Sequence, residues 1–531
     1  MTNRSPANVR PFAPAEMRGT ARAARDKVTS IEQLAQIAAR ARASGETIVL
    51  AHGVFDLVHM GHVRHLEAAR REGTMLIVTV TADAHVNKGP GRPIFPEAMR
   101  AEMLAALEYV DWVAVNHTPT AEPVLRAVKP DVYVKGSDYE NPEEDISGKI
   151  GAERIVVEEH NGRIVFTKDI TFSSSALINR YLNVYDPPLR DLLERLRSED
   201  ALPAMLALIE QVRDYRVVLV GDTIIDEYQY VRPMGKAAKE NIIASLSTGS
   251  EIFAGGVIAA ANHVASFCRE VEVVTALGAL DSHEELVRKS LMPNVKLTAV
   301  ERPDGPTTRK CRFVDPSYTR KLFEVYFHNE APFDAATEAK VASTVAAAAE
   351  TADVVIASDF GHGLISRPIV SVLAESAPFL AVNAQTNAGN QGFNLITKYQ
   401  RPHYVCLDAP EARLAMTDKD SDIMEIAQNT LPARLDCRKI MITHGQHGCV
   451  AFDEEFGPAL RIPALTSTIV DTVGAGDAFL AVTAPLVRAG GRIDHIGFIG
   501  NAAGAIKVGI VGHRRSVEKV PLLKFLTAVL K

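Results

Sequence analysis

The stretch Asp471-Thr-Val-Gly474-Ala-Gly476-Asp477-Ala-Phe479 decides the fold of the C-terminal part of this chain, because it opens an apolar helix behind a glycine-bearing loop. Gly474 and Gly476 allow the backbone to approach a phosphate, and N–H groups at the helix start, including that of Ala475, can form an anion site. Asp477 stands where a carboxylate can take the proton of a hydroxyl that attacks phosphorus. We predict a phosphate-binding loop with a catalytic base; a helix-capping loop without chemistry is the alternative.

The sequence around this loop alternates short apolar strands with helical stretches. The first strand of the series, Val217-Val-Leu-Val-Gly-Asp222, ends in an aspartate. Further strands are predicted at 271–277, 354–359, 379–382, 404–407, 440–443 and 449–452. Such alternation is typical of a parallel α/β domain.

A second motif lies far upstream, at Ala51-His-Gly-Val-Phe-Asp-Leu-Val-His-Met-Gly-His62. The pattern predicts a strand, a glycine-bearing turn and the start of a helix. His59 and His62 are three residues apart and share one face of that helix. A helix N-terminus with two imidazoles can bind a triphosphate and stabilise charge on a phosphorus under attack. The alternatives are a structural histidine pair, or a zinc site formed together with His52 and His65.

The chain is predicted to contain two α/β domains. Residues 1–28 carry several arginines but no apolar segment, so a disordered tail is expected there. The first domain is predicted over residues 29–185, a helical linker over 186–213 and the second domain over 214–531. Predicted strands of the first domain are 75–81, 110–115, 132–135 and 154–157, with a helix at 96–108.

The upstream motif resembles a known signature. Gly53-x-Phe55-Asp56-x-x-His59-x-Gly61-His62 is similar to that of the cytidylyltransferase-like family of nucleotidyltransferases. Weaker matches follow at Asn87-Lys88-Gly-Pro-Gly-Arg-Pro, Arg100, Tyr133-Val-Lys-Gly136-Ser-Asp138-Tyr and Phe172-Ser-Ser-Ser-Ala-Leu-Ile178. The resemblance implies a Rossmann-like domain in which a sugar 1-phosphate attacks the α-phosphate of ATP and pyrophosphate leaves.

This resemblance also implies roles for individual residues. His59 and His62 would stabilise the transition state, and Mg²⁺ would neutralise charge. Phosphates would be held by Lys88 and Arg100, with Ser174 at the β/γ end. The nucleotide would further be surrounded by Gly53, Phe55, Asp56 and Gly61.

The downstream motif, Asp-Thr-x-Gly-Ala-Gly-Asp, resembles the signature of the ribokinase-like (PfkB) sugar kinases. Supporting matches are Asp222-Thr-Ile-Ile-Asp226, Gly255-Gly256 with Asn262, Ser358-Asp359-Phe-Gly-His-Gly363, Asp408-Ala-Pro-Glu411 and Thr443-His-Gly445-Gln-His-Gly448. The resemblance implies sugar binding at Asp222, Asp226, Gly255, Gly256, Asn262 and Asp359. It implies nucleotide binding at Thr443, Gly445 and the glycine loop, with Mg²⁺ ordered by Asp408 and Glu411.

Both regions are most similar to the bifunctional ADP-heptose synthases, from which this chain departs in four ways. His362 replaces a lysine, and Asn383-Ala-Gln-Thr replaces Asp-Pro-Lys-Gly. Asp408 replaces an asparagine. The two domains also stand in the opposite order, since those enzymes place the kinase first.

The composition of the chain argues against a nucleic-acid-binding protein and against a membrane protein. The chain has 531 residues and a formal net charge of -7, without the basic excess of a nucleic-acid-binding surface. Its five cysteines are scattered and never paired as C-x-x-C, which indicates a reducing compartment and predicts a cytoplasmic protein. No apolar run reaches the roughly 18 residues of a membrane helix, so no membrane partner is expected.

The combined expectation is a bifunctional enzyme that phosphorylates a heptose phosphate with ATP and makes an NDP-sugar from a sugar 1-phosphate. One alternative is a CTP-dependent cytidylyltransferase acting on a polyol phosphate, fused to a kinase of another sugar. Another is a kinase domain that binds sugar without catalysis, as His362 and the altered loop at Asn383 would allow. The families imply sugar phosphate and nucleotide substrates and a possible homodimer.

Overall fold

The computed structural model describes residues 22–86, 88–89, 92–136, 149–167, 174–181, 185–317, 320–466 and 468–531. The described residues form two compact units. The first unit ends at Ser174, and the second begins at Ser175 and includes the described residues of the loop 87–92. The second unit therefore begins before residue 186, where the sequence placed the linker.

The first unit is built on a parallel six-stranded sheet with the order β1-β4-β3-β2-β5-β6. Its strands are β1 Val28–Thr29, β2 Ile48–Gly53, β3 Met75–Thr81, β4 Trp112–Asn116, β5 Val132–Gly136 and β6 Arg163–Thr167. The helices between them are α1 Ile31–Ala43, α2 Met60–Arg70, α3 Glu97–Ala105, α4 Glu122–Val128 and α5 Lys149–Glu158. The strand order reverses between β2 and β5, and a doubly wound sheet binds ligands at such a reversal.

Two sequence predictions for this unit are wrong. The expected strand at 154–157 lies inside α5, and β6 follows it after a turn at Asn161, whose φ is 61°. A run of Ile and Val favours a strand locally, but here helix packing prevails. Order also begins before residue 29, since Ala24–Lys27 forms a 3₁₀ turn and β1 pairs with β4. Residues 1–21 of the expected tail lie outside the described residues.

The second unit contains a nine-stranded sheet with the order β11-β10-β7-β14-β15-β16-β17-β18-β19. Its strands are β7 Arg216–Gly221, β10 Glu270–Leu280, β11 Val295–Pro306, β14 Val354–Asp359, β15 Leu380–Ala384, β16 Tyr404–Asp408, β17 Lys439–Thr443, β18 Cys449–Asp453 and β19 Gly457–Ile462. The strands are parallel up to β17, and β18 and β19 are antiparallel to their neighbours.

Two apolar cores lie on the two faces of this sheet, and each core is covered by helices. They are α6 Ser174–Tyr181, α7 Pro187–Ser198, α8 Ala201–Gln211, α9 Val257–Ala265, α10 Glu284–Ser290, α11 Ala335–Ala349, α12 Arg367–Ser376, α13 Ala409–Met416, α14 Ile423–Glu425, α15 Leu431–Leu435, α16 Ala475–Arg488, α17 Ile493–Lys507 and α18 Lys519–Leu530. Helices α7 and α8 contribute Leu193, Met205 and Ile209 to the same core as α16. The predicted linker is thus helical, as expected, but is a packed part of the second unit.

A second, four-stranded sheet completes this unit, in the order β13-β12-β8-β9. Its strands are β8 Thr223–Lys236, β9 Ile243–Gly256, β12 Thr308–Asp315 and β13 Arg320–Phe327. Lys310 on β12 pairs with Asp226 on β8 and with Tyr326 on β13, so the three residues form one cross-strand row. The predicted α/β class is confirmed. None of the helices described is long and apolar enough to span a bilayer.

Candidate active sites

A cavity of about 400 Å³ in the second unit lies beside the start of α16. It is bordered by the ends of parallel strands, where ligands bind in open α/β sheets. Eight residues predicted from the sequence line it: Asp408, Glu411, Thr443, Gly445, Gly474, Ala475, Gly476 and Asp477. Although these residues are spread over about seventy positions, the fold brings them to one place.

The glycine loop at this cavity depends on close packing. Gly474 has φ 74°, and a Cβ there would lie 2.7 Å from Cε1 of His513. A larger residue at 474 would therefore be strained and would displace His513. The buried Lys507 donates to the carbonyl oxygens of Val473 (2.6 Å) and Gly512 (2.8 Å), which fixes the loop and places a positive charge behind it.

Asp477 occupies the first turn of α16 and lines the cavity. Its Oδ1 accepts a hydrogen bond from Nε2 of Gln385. Burial raises the pKa of Asp477, while the nearby charges of His513 and Lys507 oppose that rise. The carboxylate is thus oriented by a neutral amide and kept basic by its low-dielectric surroundings.

Asp226 is the predicted sugar-binding residue with the most structured surroundings. Its carboxylate pairs with Arg312 of β12 and lies 3.3 Å from Nε2 of His513. Burial opposes ionisation, yet His513 and Arg312 hold the pKa of Asp226 below its usual range. A Cβ on Gly255 would lie 2.0 Å from Oδ2 of Asp226, so glycine is required for this approach.

Three other predicted sugar-binding residues use their polar groups within the fold. Asp222 accepts from the backbone N–H groups of His362 (3.2 Å) and Leu364 (3.1 Å). Asp359 is bound by Tyr399, Lys398 and Asn394, and Asn262 bridges Ser290 and Met292. These hydrogen bonds fix the three side chains within the fold, and sugar binding by Asp222, Asp359 and Asn262 stays a prediction.

Asp408 and Glu411 meet at the N-terminus of α13 as a capping box. Glu411 accepts from the backbone N–H groups of Asp408 (2.9 Å) and Thr386 (3.0 Å), and burial raises its pKa to about 7. Carboxylate oxygens at a phosphate cavity suit Mg²⁺, which prefers oxygen ligands and retains waters. The residues present therefore fit the predicted cation.

Asp471 connects the glycine loop with the four-stranded sheet. Its carboxylate accepts from Lys321 of β13 (2.7 Å), from Tyr228 of β8 (2.7 Å) and from the backbone N–H of Gly512 (2.8 Å) and Val473 (3.1 Å). The side chain is buried, so these donors replace water completely. One carboxylate thereby holds two loops and two strands.

Sequence reasoning missed His513, Lys507, Gln385 and Arg312, all of which contact residues of this site. None lies within a quoted motif except Gln385, which stands in the altered Asn383-Ala-Gln-Thr stretch. Lys507 carried a signal, because a lysine on an otherwise apolar helix is rarely buried without a role. His513 carried none.

In the first unit, His59 and His62 lie together at the start of α2. Their rings stack with centroids 4.0 Å apart. Nδ1 of His59 accepts from the backbone N–H of Gly61 (3.1 Å), and Nδ1 of His62 accepts from that of His59 (3.4 Å). Because each Nδ1 accepts, each neutral ring carries its proton on Nε2 and offers an N–H donor there.

The loop before this helix is held by Phe55 and Asp56. Phe55 has φ 49° and packs its ring edge against His62, with centroids 5.2 Å apart. A Cβ on Gly53 would lie 3.1 Å from the Phe55 ring, so glycine allows this packing. Asp56 is fully buried and accepts from the backbone N–H of Ile94. These residues position the histidines.

Arg100 is placed differently from the prediction that it holds phosphate. Its guanidinium is fully buried and donates to the carbonyl oxygens of Val54, Phe95 and Thr81 and to Asp83. A guanidinium with these partners stabilises the loop that precedes α2. Binding phosphate would require breaking several of these bonds.

The other residues predicted for the site of the first unit lie in another unit or are only partly described. Lys88 lies in the loop that belongs to the second unit, and Ser174 begins α6 with its side chain outside the described atoms. Residues 87, 90, 91, 137–139, 172 and 173 of these motifs also lie outside the described residues. The zinc alternative is not supported, since His52 contacts Thr79 and His65 contacts Thr167.

Each of the two units matches a family of known proteins. Residues 50–180 match the family described as cytidylyltransferase-like. The bifunctional protein HldE of Alcanivorax borkumensis is 54% identical over 101 residues, which cover 19% of this chain and 21% of that protein. HldE of Pseudomonas entomophila is 44% identical over 153 residues, covering 28% and 31%. The matched stretches thus span less than a third of these relatives.

Among solved structures, phosphofructokinase-2 from Escherichia coli is 13% identical, with a TM-score of 0.48, 60% of this chain covered and 100% of the other. Residues 214–520, more than half of the chain, match the model of the pfkB family of carbohydrate kinases. The chain belongs to the pfkB carbohydrate kinase family and carries a cytidylyltransferase-like domain ahead of its kinase domain.

Proposed function

We propose that the second unit transfers the γ-phosphate of ATP to a hydroxyl of a sugar phosphate, with a heptose phosphate as the expected substrate. The cavity beside α16 carries this proposal, because Asp477 lies there next to the N–H groups that follow Gly474. A carboxylate beside a phosphate-binding helix start is what phosphoryl transfer to an alcohol requires.

In this reaction Asp477 accepts the proton of the attacking hydroxyl as its oxygen bonds to the γ-phosphorus. The bond between that phosphorus and the β,γ-bridging oxygen breaks, and ADP leaves. The N–H groups of Ala475 and Gly476 stabilise the charge on the transferred group, and Lys507 keeps their loop in place. Asp226, fixed by Arg312, binds sugar hydroxyls.

Mg²⁺ would be held near Asp408 and Glu411, in part through water, and would neutralise phosphate charge when bound. The oxygen ligands at the cavity edge support this assignment. The capping-box hydrogen bonds of both carboxylates fix where their remaining lone pairs point.

We infer that the first unit transfers a nucleotidyl group to a sugar 1-phosphate. A phosphate oxygen is already nucleophilic, so no general base is needed. Two imidazoles with Nε2–H donors would stabilise the α-phosphorus during attack and pyrophosphate departure. ATP is the expected nucleotide because the HldE proteins are the relatives, and CTP with a polyol phosphate is the alternative.

The two activities together would convert a heptose phosphate into an ADP-heptose-like nucleotide sugar. The name of these relatives, bifunctional protein HldE, supports two activities in one chain. In the pathway of the ADP-heptose synthases, a phosphatase acts between the two steps. The five cysteines are free and buried, which fits the proposed cytoplasmic location.

Activity assays of the full chain test both proposals. Heptose 7-phosphate with ATP assays the kinase, and heptose 1-phosphate with ATP, CTP or GTP assays pyrophosphate release. Turnover of neither heptose phosphate, together with activity on an unrelated sugar, would refute the heptose assignment. ADP formation from heptose 7-phosphate that survives in Asp477→Asn would contradict the role of Asp477, and no ADP formation by the wild-type chain would indicate a non-catalytic kinase domain.

A homodimer through the four-stranded sheet is also proposed. Apolar side chains on its edge strand β13, among them Phe323 and Phe327, are exposed by 57% and 42%. Light scattering on the purified chain measures the mass directly. A monomer at all accessible concentrations would contradict this assembly, and Phe323→Glu would dissociate a dimer formed through β13.

A further inference from the structure

A cluster of cationic and imidazole groups lies on the inner face of the four-stranded sheet, beside the proposed sugar site. Lys310 stands between Asp226 and Tyr326 in the cross-strand row, with Nζ 5.1 Å from the Tyr326 ring centre. His328 follows β13, and His362 lies in the loop after β14. The rings of these two histidines are 5.5 Å apart.

Lys310 is a buried residue of β12. It is 7% exposed, and no hydrogen bond or ion pair to Nζ occurs within the part of the chain that the structure describes. Asp226, its neighbour across the strands, pairs instead with Arg312 and His513. Burial lowers the pKa of Lys310, and nearby Asp226 opposes that effect. A buried ammonium is costly unless an anion pairs with it.

The two histidines also have unused polar atoms. His362 is 9% exposed, and its Nε2 has no hydrogen-bond partner among the described residues; Nδ1 of His328 is likewise buried without a described partner. Burial and the charges of Lys310 and His328 lower the pKa of His362 to about 3, so its ring is neutral near physiological pH. A neutral imidazole can donate a hydrogen bond to an anion.

We propose that Lys310, His328 and His362 receive the phosphate group that the sugar substrate already carries. A phosphate monoester has three terminal oxygens and suits a set of converging donors that includes one ammonium. Neutral sugar hydroxyls would leave the Lys310 charge unpaired. The site therefore selects sugar monophosphates over free sugars. This inference rests on the proposed kinase function.

The position of His362 is fixed independently of any ligand. Its backbone N–H donates to Asp222, and Gly361 before it has φ 69° with no room for a Cβ against Asn390. The loop therefore presents His362 to the cluster as a rigid donor.

The test compares heptose 7-phosphate with free heptose as substrates of the full chain. Lys310→Met and His362→Asn are expected to raise KM for heptose 7-phosphate roughly 10- to 100-fold, the range for losing a charge-assisted hydrogen bond. KM for ATP and for free heptose should stay near the wild-type values. Lys310→Arg should recover part of the loss. Lys236→Met, on an exposed lysine of the same sheet, is the matched control.

Calorimetric titration of heptose 7-phosphate into Asp477→Asn separates this inference from the proposed kinase activity. Binding by Asp477→Asn that is lost in the Lys310→Met, Asp477→Asn double variant supports the phosphate site even if wild-type turnover fails. Equal binding by both, or equal KM changes for the phosphorylated and free sugar, overturns it. Thermal unfolding of each variant shows whether a loss reflects misfolding.

Discussion

Gln385 donates a hydrogen bond of 2.6 Å from Nε2 to Oδ1 of Asp477. The resembling heptose kinases carry a lysine at this position of their Asp-Pro-Lys-Gly stretch. The catalytic carboxylate proposed here is thus oriented by a neutral donor, and its positive surroundings come from His513 and Lys507.

The ionisation of Asp477 should control the pH dependence of the kinase. Asp477 must be ionised to accept a proton, and burial raises its pKa, so activity falls on the acidic side as pH drops through that pKa. Gln385→Lys adds a positive charge that favours the carboxylate and should move this acidic limb to lower pH. The profile of kcat/KM against pH measures the shift. Gln385→Met, which removes the donor without adding charge, should not move it downward.

Asp477→Asn should abolish most kinase turnover while leaving the first unit active. Removing a general base typically costs 10²- to 10⁴-fold in rate, and we expect kcat to fall by about that factor. Coupled assay of ADP gives kinase turnover, and pyrophosphate release from the same preparation reports the nucleotidyltransferase. Loss of both activities would point to a folding defect rather than to chemistry.

The histidine pair can be tested with two isosteric changes at His62. Asparagine can imitate Nδ1 and keep the acceptor for the His59 backbone N–H, whereas glutamine can place an N–H donor near Nε2. We therefore expect His62→Asn to fold but to lose roughly 10²- to 10³-fold in nucleotidyl transfer, and His62→Gln to retain more activity. Pyrophosphate release measures both. The reverse order would show that the capping acceptor matters more than the donor.

Asp471 should contribute to the stability of the kinase domain. Burial opposes ionisation of Asp471, but Lys321, Gly512 and Tyr228 hold its pKa at about 2. Its folded pKa is below the ordinary 3.8, so this stability is present above pH 3.8 and is lost as pH falls towards 2. Asp471→Asn should lower the free energy of unfolding at pH 7 by about 2–3 kcal/mol.

Urea unfolding at pH 7 and at lower pH measures this contribution. The difference between wild type and Asp471→Asn should shrink as the pH approaches 3. Glu251→Gln, which removes the partly exposed partner of Arg514, is the comparison and should cost under about 1 kcal/mol. Equal losses in the two variants would contradict the special role of Asp471.

Sequence alone predicts the parts of the sites that are contiguous in the chain. Gly474, Gly476 and Asp477 share one loop, so their proximity follows from spacing and a helix start. His513 cannot be predicted in this way, because it reaches Asp226 only through the packing of α17 and its following turn. Long-range convergence of this kind leaves no local pattern.

Motifs also do not reveal which way a polar side chain faces. Asp359 and Asn262 fall in matched stretches, yet their hydrogen bonds are made inside the fold. The same holds for Arg100, whose guanidinium is surrounded by carbonyl oxygens. A residue in a short motif can serve to shape the backbone or to contact a ligand. Only its hydrogen-bond partners in the folded chain show which of these roles it has.

The carboxylate of Asp471 couples the four-stranded sheet to the phosphate loop, because it accepts hydrogen bonds from both. If β13 lifts away, Lys321 leaves and the carboxylate keeps only neutral donors while Lys507 remains behind the loop. The charge balance around Gly512 and Val473 then changes before any substrate has moved. The loop that carries the proposed anion site is therefore coupled to the position of β13 through the ion pair of Asp471 and Lys321.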